Sequence, residues 1–179
     1  RAAGKPVWLL ARAKGRDRWA AIGFRMAFSL ASLGPLVLLI WPATRHLDFL
    51  WEHSSSAALG AVGMFVAGIG AMIAFAAQMS MGSSWRVGVA QGETGNPVSD
   101  GLYRFSRNPT FVGQFMLLAG VSLAIAAIPT ILAPLIFFWS ASTQIRSEET
   151  ALRQALGPDY DRYAAAVPRW ISLRHGIKP

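Results

Sequence analysis

Ala57-Ala-Leu-Gly-Ala-Val-Gly-Met-Phe-Val-Ala-Gly-Ile-Gly-Ala-Met-Ile-Ala-Phe-Ala-Ala-Gln-Met79 runs for twenty-three residues without a charge. A bilayer core about 30 Å thick takes roughly 20 apolar residues of helix, so this stretch reads as a membrane span. Gly60, Gly63, Gly68 and Gly70 recur along it. Small residues at such spacing let neighbouring helices approach closely, which predicts a helix central in a bundle.

Two further apolar stretches flank it. Trp19–Trp41 holds one charge, Arg25, about a turn inside the helix, where a long side chain snorkels back to the interface. Pro35 predicts a kink there. On the other side, 108–145 carries no Asp, Glu, Lys or Arg. The apolar run Thr110–Ser142 is too long for one ordinary span. Ala127-Ile-Pro-Thr130 breaks it, with Pro129 suited to start a new helix. A hairpin of helices over 110–127 and 129–146 follows, the second continuing as a helix into water.

The fold expected is therefore all-α: a polytopic membrane helical bundle of about four spans in one domain, 1–179, with no repeat and no linker. Within it, 1–18 is a basic segment, 19–79 holds two spans, and 80–170 holds the hairpin and two polar segments. Lys and Arg number six in 1–18, one in 42–56, three in 80–109, none in 127–130 and six from 146 onward. Positive charge thus collects in alternate loops, which puts both termini and 80–109 in the cytoplasm. Trp8 and Trp19 with their basic neighbours suit anionic lipid headgroups. High Ala, Gly and Arg usage points to a bacterial source and hence an inner membrane. The chain begins at Arg1 rather than Met, which suggests that a natural N-terminus precedes it, and no cleavable signal pattern comes before the first span.

The absence of Cys excludes disulfides, thiolate nucleophiles and zinc–cysteine sites. A net charge of +8 suits nucleic acid in principle, but Lys and Arg flanking spans explain it without such a partner. The spans contain no carboxylate and no His, so a proton or ion path through the membrane lacks its usual groups. Gln78 and Gln114 are explained by bonding between helices. The chemistry must then sit in the polar segments.

The first, Met79–Gly113, is rich in Gly and turn formers, and a loop of that length is uncommon unless it binds something. Asn108-Pro109 looks like an N-cap and helix start, which could serve simply as a cap or present free N–H groups to a carboxylate or phosphate. The second, Gln144–Trp170, opens with Glu148-Glu149 just beyond a span. Taken alone that pair reads as a solvated face, with Glu149 bonded to Arg153 at i,i+4. Gly157-Pro158 stops one helix and begins another.

Together the two segments hold Gly101-Leu-Tyr103, Arg107-Asn-Pro-Thr-Phe-Val-Gly113, Glu148-Glu149, Leu156-Gly157, Tyr160-Asp-Arg-Tyr163 and Val167-Pro168. This ordered set, over about 80–170, resembles the isoprenylcysteine carboxyl methyltransferase family and related small integral membrane methyltransferases. The resemblance implies methyl transfer from S-adenosylmethionine, in a cytoplasmic pocket, to a lipid-like, prenyl-thiol or small hydrophobic acceptor. It assigns Val98, Tyr103, Asn108, Pro109, Phe111, Gly113, Glu148 and Glu149 to the cofactor. Arg146 and Arg107 become the candidates for orienting substrate at the catalytic step. Asn108 stands where the family has His, and Phe111 where it has Tyr. Asn donates and accepts hydrogen bonds but is no acid or base near neutral pH, so activity requires the family His to position rather than move a proton.

The residues agree with that implication on their own terms. A sulfonium donor is already activated, so the protein chiefly has to align donor and acceptor, and no metal site or nucleophile is needed. Glu carboxylates accept bonds from a ribose diol and favour a nearby cation. Trp139 and Phe115 could line the path of an acceptor from the lipid, although core packing is the readier reading. Two alternatives stay open: an NADPH-dependent membrane reductase of the sterol reductase type, with Arg86, Arg104 and Arg107 as phosphate ligands, and a noncatalytic scaffold.

Overall fold

The computed structural model describes residues 15–53, 56–81 and 101–171. They form α1 (Arg16–Ile40), α2 (Phe49–His53), α3 (Ala57–Met81), α4 (Pro109–Ala124), α5 (Ile128–Leu156) and α6 (Pro158–Ala166), with 3-10 turns at Pro42–Leu47 and Gly101–Arg104. No strand occurs among the described residues. Segments of α1, α3 and α5 are long and apolar enough to cross a membrane, and α4 is a shorter apolar helix. The basic segment before residue 15, Val98 and Arg86 lie outside the described residues.

The helices pack in the order α3–α4–α5–α1. The α4–α5 hairpin turns where the sequence predicts, with Pro129 in the first turn of α5. α5 then runs unbroken to Leu156, and α1 runs through Pro35. Residues 42–48 meet the α4–α5 turn at one end of the bundle, while the starts of α1 and α4 gather at the other with the second half of α5. This alternation matches the sorting of Lys and Arg along the chain.

The expectation that α3 is central is overturned. Its helical neighbour is α4, and Met64, Phe65, Met72 and Phe75 are exposed on its far side. The glycines explain why. A Cβ on Gly63 or Gly70 would run into the α4 backbone at Ala124 and Leu117, and one on Gly113 or Gly120 would run into α3 at Ala74 and Ala67. Glycine here brings two backbones together pairwise, which takes one partner and leaves the other face for lipid. A Cβ on Gly68 would meet nothing.

The centre of the bundle lies instead between α1, α4 and α5. Phe137 is fully buried, 4.7 Å from Phe24 edge to face, with Phe28 and Phe111 around it. Ala27, Ala133 and Ala141 leave room for these rings beside Leu118. At the end opposite the charges, Asp48 is buried. Its Oδ1 caps α2 by accepting from the N–H groups of Leu50 (3.1 Å) and Trp51 (3.2 Å), and its Oδ2 accepts from the Ile128 N–H at 2.8 Å. Thr130 Oγ1 accepts from the Ala127 N–H at 3.1 Å and donates to the Ala127 carbonyl at 2.8 Å.

Candidate functional site

The charged end is built by three pieces of chain closing on one another. Gly101, at φ +60°, allows the tight turn that carries Tyr103 inward. Ser106 Oγ accepts from the Asn108 N–H at 3.0 Å just before α4. Asn108 holds the N-cap position of α4 but makes no side-chain cap. Its amide donates instead to the carbonyl of Arg169 at 2.9 Å, sixty-one residues on. The Arg107 N–H donates to the Pro168 carbonyl at 2.9 Å, and the Tyr163 hydroxyl to the Tyr103 carbonyl at 3.0 Å. These bonds tie the 160–170 tail to the 103–108 loop.

The tail can reach back because α5 stops at Gly157, whose φ of +55° suits glycine, and Pro158 starts α6 at once. Arg153 Nε lies 3.1 Å from Asp161 Oδ1, linking α6 to the end of α5. The Arg153 guanidinium also sits 5.8 Å from the Tyr160 ring centre. Trp170 stacks on Phe138 at 5.0 Å, and Phe138 meets Phe115 at 5.9 Å, so the tail ends on an aromatic wall.

Glu149 lies at the centre. Its carboxylate is buried and meets two guanidinium groups. Arg169 grips it with Nε at 2.9 Å and Nη2 at 2.6 Å, and Arg107 Nη1 lies 3.2 Å from Oε1. The same Arg107 nitrogen donates to the Tyr160 hydroxyl at 3.2 Å. The expected Glu149–Arg153 pair is not formed, because Arg153 turns to Asp161 while Glu149 faces inward. A buried carboxylate needs paired, hydrogen-bonded cations, and two long-range arginines supply them where a surface i,i+4 pair would not.

Glu148, about 100° round the helix, is exposed and accepts from Gln144 Nε2 at 2.9 Å. Arg146 is exposed too, and its side chain has no polar partner among the described residues. The tyrosines around the cluster are held as neutral hydroxyls. Burial pushes Tyr163 up to about 12, opposed by the Arg107 charge, and burial with the nearby Glu149 charge raises Tyr160. Burial raises Tyr103 as well, while the nearby Thr110 hydroxyl works in the opposite direction without meeting hydrogen-bond geometry. The bond to Glu149 raises Arg169.

The residues singled out in the sequence separate into three groups. Tyr103, Arg107, Asn108, Pro109 and Glu149 come together. Glu148 and Arg146 lie on the open side of α5. Phe111 belongs to the aromatic core, 5.6 Å from Phe24, and Gly113 faces the α3 backbone. Trp139 is exposed rather than core, and lines an apolar groove of about 420 Å³ with Trp19, Ile22, Met26 and Leu135 between α1 and α5. Phe115 is half-buried in the packed wall.

Sequence reading misses Arg169, Tyr160 and Tyr163 as site residues. The available signal was the buried-carboxylate argument itself, since Arg169 follows directly on Val167-Pro168. Among the described residues, Arg107 Nε, Thr110 Oγ1 and Gln114 Oε1 are buried without a partner in hydrogen-bond geometry. Such orphans cost about 1–3 kcal/mol each.

Fold and site together define a multi-pass helical membrane protein with a closed, charged and aromatic polar end. The family model for isoprenylcysteine carboxyl methyltransferases matches residues 61–154, more than half of the chain, and the chain belongs to that family. A protein-S-isoprenylcysteine O-methyltransferase from Schizosaccharomyces pombe is 32% identical over 77 residues, covering 42% of this chain and 33% of that protein. The chain thus aligns with about a third of the relative's length. No solved structure matches the chain.

Proposed function

We propose that the chain transfers a methyl group from S-adenosylmethionine to a hydrophobic acceptor, lipid-like or a prenyl thiol, at the cytoplasmic face of a bacterial inner membrane. The observation that carries this reading is the closure of the 103–108 loop and the 160–170 tail around Glu149, within the family's own motifs. When bound, the cofactor supplies an activated methyl on a sulfonium. The protein's part is to bind, orient and exclude water.

The residues present fit such a ligand. Glu148 offers an exposed carboxylate to a diol or cation, while Glu149 is the inner anchor that holds Arg107 and Arg169 in place. Neutral tyrosine hydroxyls and the Phe138–Trp170 wall give a low-polarity surround. Asn108, donating to the Arg169 carbonyl, acts as a positioning group, which needs no proton transfer. Arg146, exposed on the open side of α5, is the group we assign to orienting an acceptor. Arg107 is less suited to the phosphate of NADPH, since it is already engaged by Glu149.

The test is methyl transfer by detergent-purified protein from labelled S-adenosylmethionine to lipid, prenyl-thiol and small-thiol acceptors, with cofactor binding by calorimetry alongside. Transfer to at least one acceptor is expected. Binding of NADPH but not S-adenosylmethionine would favour the reductase, and binding of neither the scaffold.

A further inference from the structure

We infer that the apolar groove between α1 and α5 holds one acyl chain of an anionic phospholipid, with Arg18 and Arg25 taking its phosphate. The site is separate from the charged cluster and belongs to the face of the bundle turned to lipid. Gly23 and Ile136 lie in its floor, and Gly23 lets α1 approach α5 so closely that a Cβ would strike the Ser140 hydroxyl. Trp19, Met26, Leu135 and Trp139 stand exposed around a volume of about 420 Å³. An apolar slot open to a bilayer is filled by hydrocarbon, because an empty one forfeits dispersion contacts.

Charge on one lip makes the slot selective. Arg18 and Arg25 are exposed, and neither side chain has a polar partner among the described residues. Ile22, which lines the groove, comes four residues after Arg18 and three before Arg25, so the three share one face of α1. Helical side chains lean toward the N-terminus, which carries the Arg25 guanidinium back across the roughly 10 Å between the two positions. Asp17, the adjacent carboxylate, is turned to α5 and accepts from Ser147 Oγ at 2.6 Å. It is engaged at the seam and leaves the lip positive. The same bond fixes Arg18 at the charged end of the bundle, where the headgroups of that leaflet lie.

A guanidinium a turn inside a span calls for an anion at its own level. A phosphate whose chain already lies in the groove supplies one. Basic positions beside membrane helices, with Trp at the interface, are how anionic headgroups are held. A methyl acceptor is the other hydrophobic occupant to weigh. Its reacting group would have to reach Tyr103, Arg107 and Glu149 on α4, α5 and the loop before α4, whereas the unpaired arginines of the groove are on α1.

The test is native mass spectrometry of the full chain in mild detergent, titrated with phosphatidylglycerol and with phosphatidylcholine of the same acyl chains. Wild type should bind the anionic lipid at least tenfold more tightly. Arg18→Gln and Arg25→Gln should each weaken phosphatidylglycerol about fivefold and leave phosphatidylcholine unchanged. That unchanged affinity also shows the exposed substitutions to be folded. Trp139→Ala, which removes one wall, should weaken both lipids alike. Equal affinity of wild type for the two lipids would overturn the site. So would arginine variants that keep wild-type phosphatidylglycerol binding or lose both lipids together, and a Trp139→Ala chain that loses neither. Displacement of bound phosphatidylglycerol by a prenyl thiol would give the groove to the acceptor and overturn the lipid assignment. None of these outcomes touches S-adenosylmethionine binding, so the methyltransferase reading stands or falls separately.

Discussion

The two ends of the bundle treat buried polar groups in opposite ways. At the loop end, Asp48 satisfies three backbone N–H groups and Thr130 closes the first turn of α5, so the polar groups serve to lock the hairpin to the 42–53 segment. At the charged end, a carboxylate and two guanidiniums are drawn together from three distant parts of the chain, and Arg107 Nε and Thr110 Oγ1 are buried there without a partner among the described residues. Natural interiors rarely leave such groups alone. An end that is completed by its own backbone is a structural joint, and an end that leaves groups over has room in its bonding for a ligand.

The strongest way to break this contrast is Glu149→Ala. Removing the carboxylate strands Arg107 in a buried setting, and a loss of about 3–5 kcal/mol is expected. Denaturation in detergent measures it, and a loss below about 1 kcal/mol would mean that water reaches the cluster freely. Asp48→Ala should cost less, about 1–3 kcal/mol, because backbone N–H groups rather than a charge are left over. Binding of S-adenosylmethionine to the folded Asp48 variant should match wild type, and a weakened affinity would show that the two ends are coupled. Glu148→Ala should leave stability within about 0.5 kcal/mol yet weaken cofactor binding about tenfold. Unchanged affinity in calorimetry would remove Glu148 from the site.

The smallest effect is in alkali. The folded chain holds the Tyr163 hydroxyl to about 12 against an ordinary 10, so its contribution is complete below pH 10 and drains away as pH climbs toward 12. Tyr163→Phe should therefore lose less stability than wild type across that window, read as a shallower fall in melting temperature. Equal slopes would place the hydroxyl in water.

Most of the helical layout is legible in the sequence, because apolar run length, Pro129 and Gly157-Pro158 act locally and their positions survive tertiary packing. The joining of the 103–113 and 144–170 segments is legible through the ordered motifs. What escapes is pairing at long range. Nothing near Asp48 announces that its carboxylate will reach the N–H of Ile128, eighty residues away. Glu149 and Arg153 have the spacing of a surface pair, and only the inward rotation of α5 at Glu149 sends each to another partner. The glycines of α3 announce close approach but not on how many sides, so a helix with one neighbour reads like one with several.

The attachment of the tail has a consequence for how this end can change. Two of its tethers land on the carbonyl oxygens of Pro168 and Arg169, a group that every amino acid carries. Docking by main chain is indifferent to side-chain identity, so a library randomised at 170, with Arg169 kept to pair the buried Glu149, can hold the segment in place while varying its aromatic surface. The tail is thus where new ligand preferences could be selected without rebuilding the membrane helices.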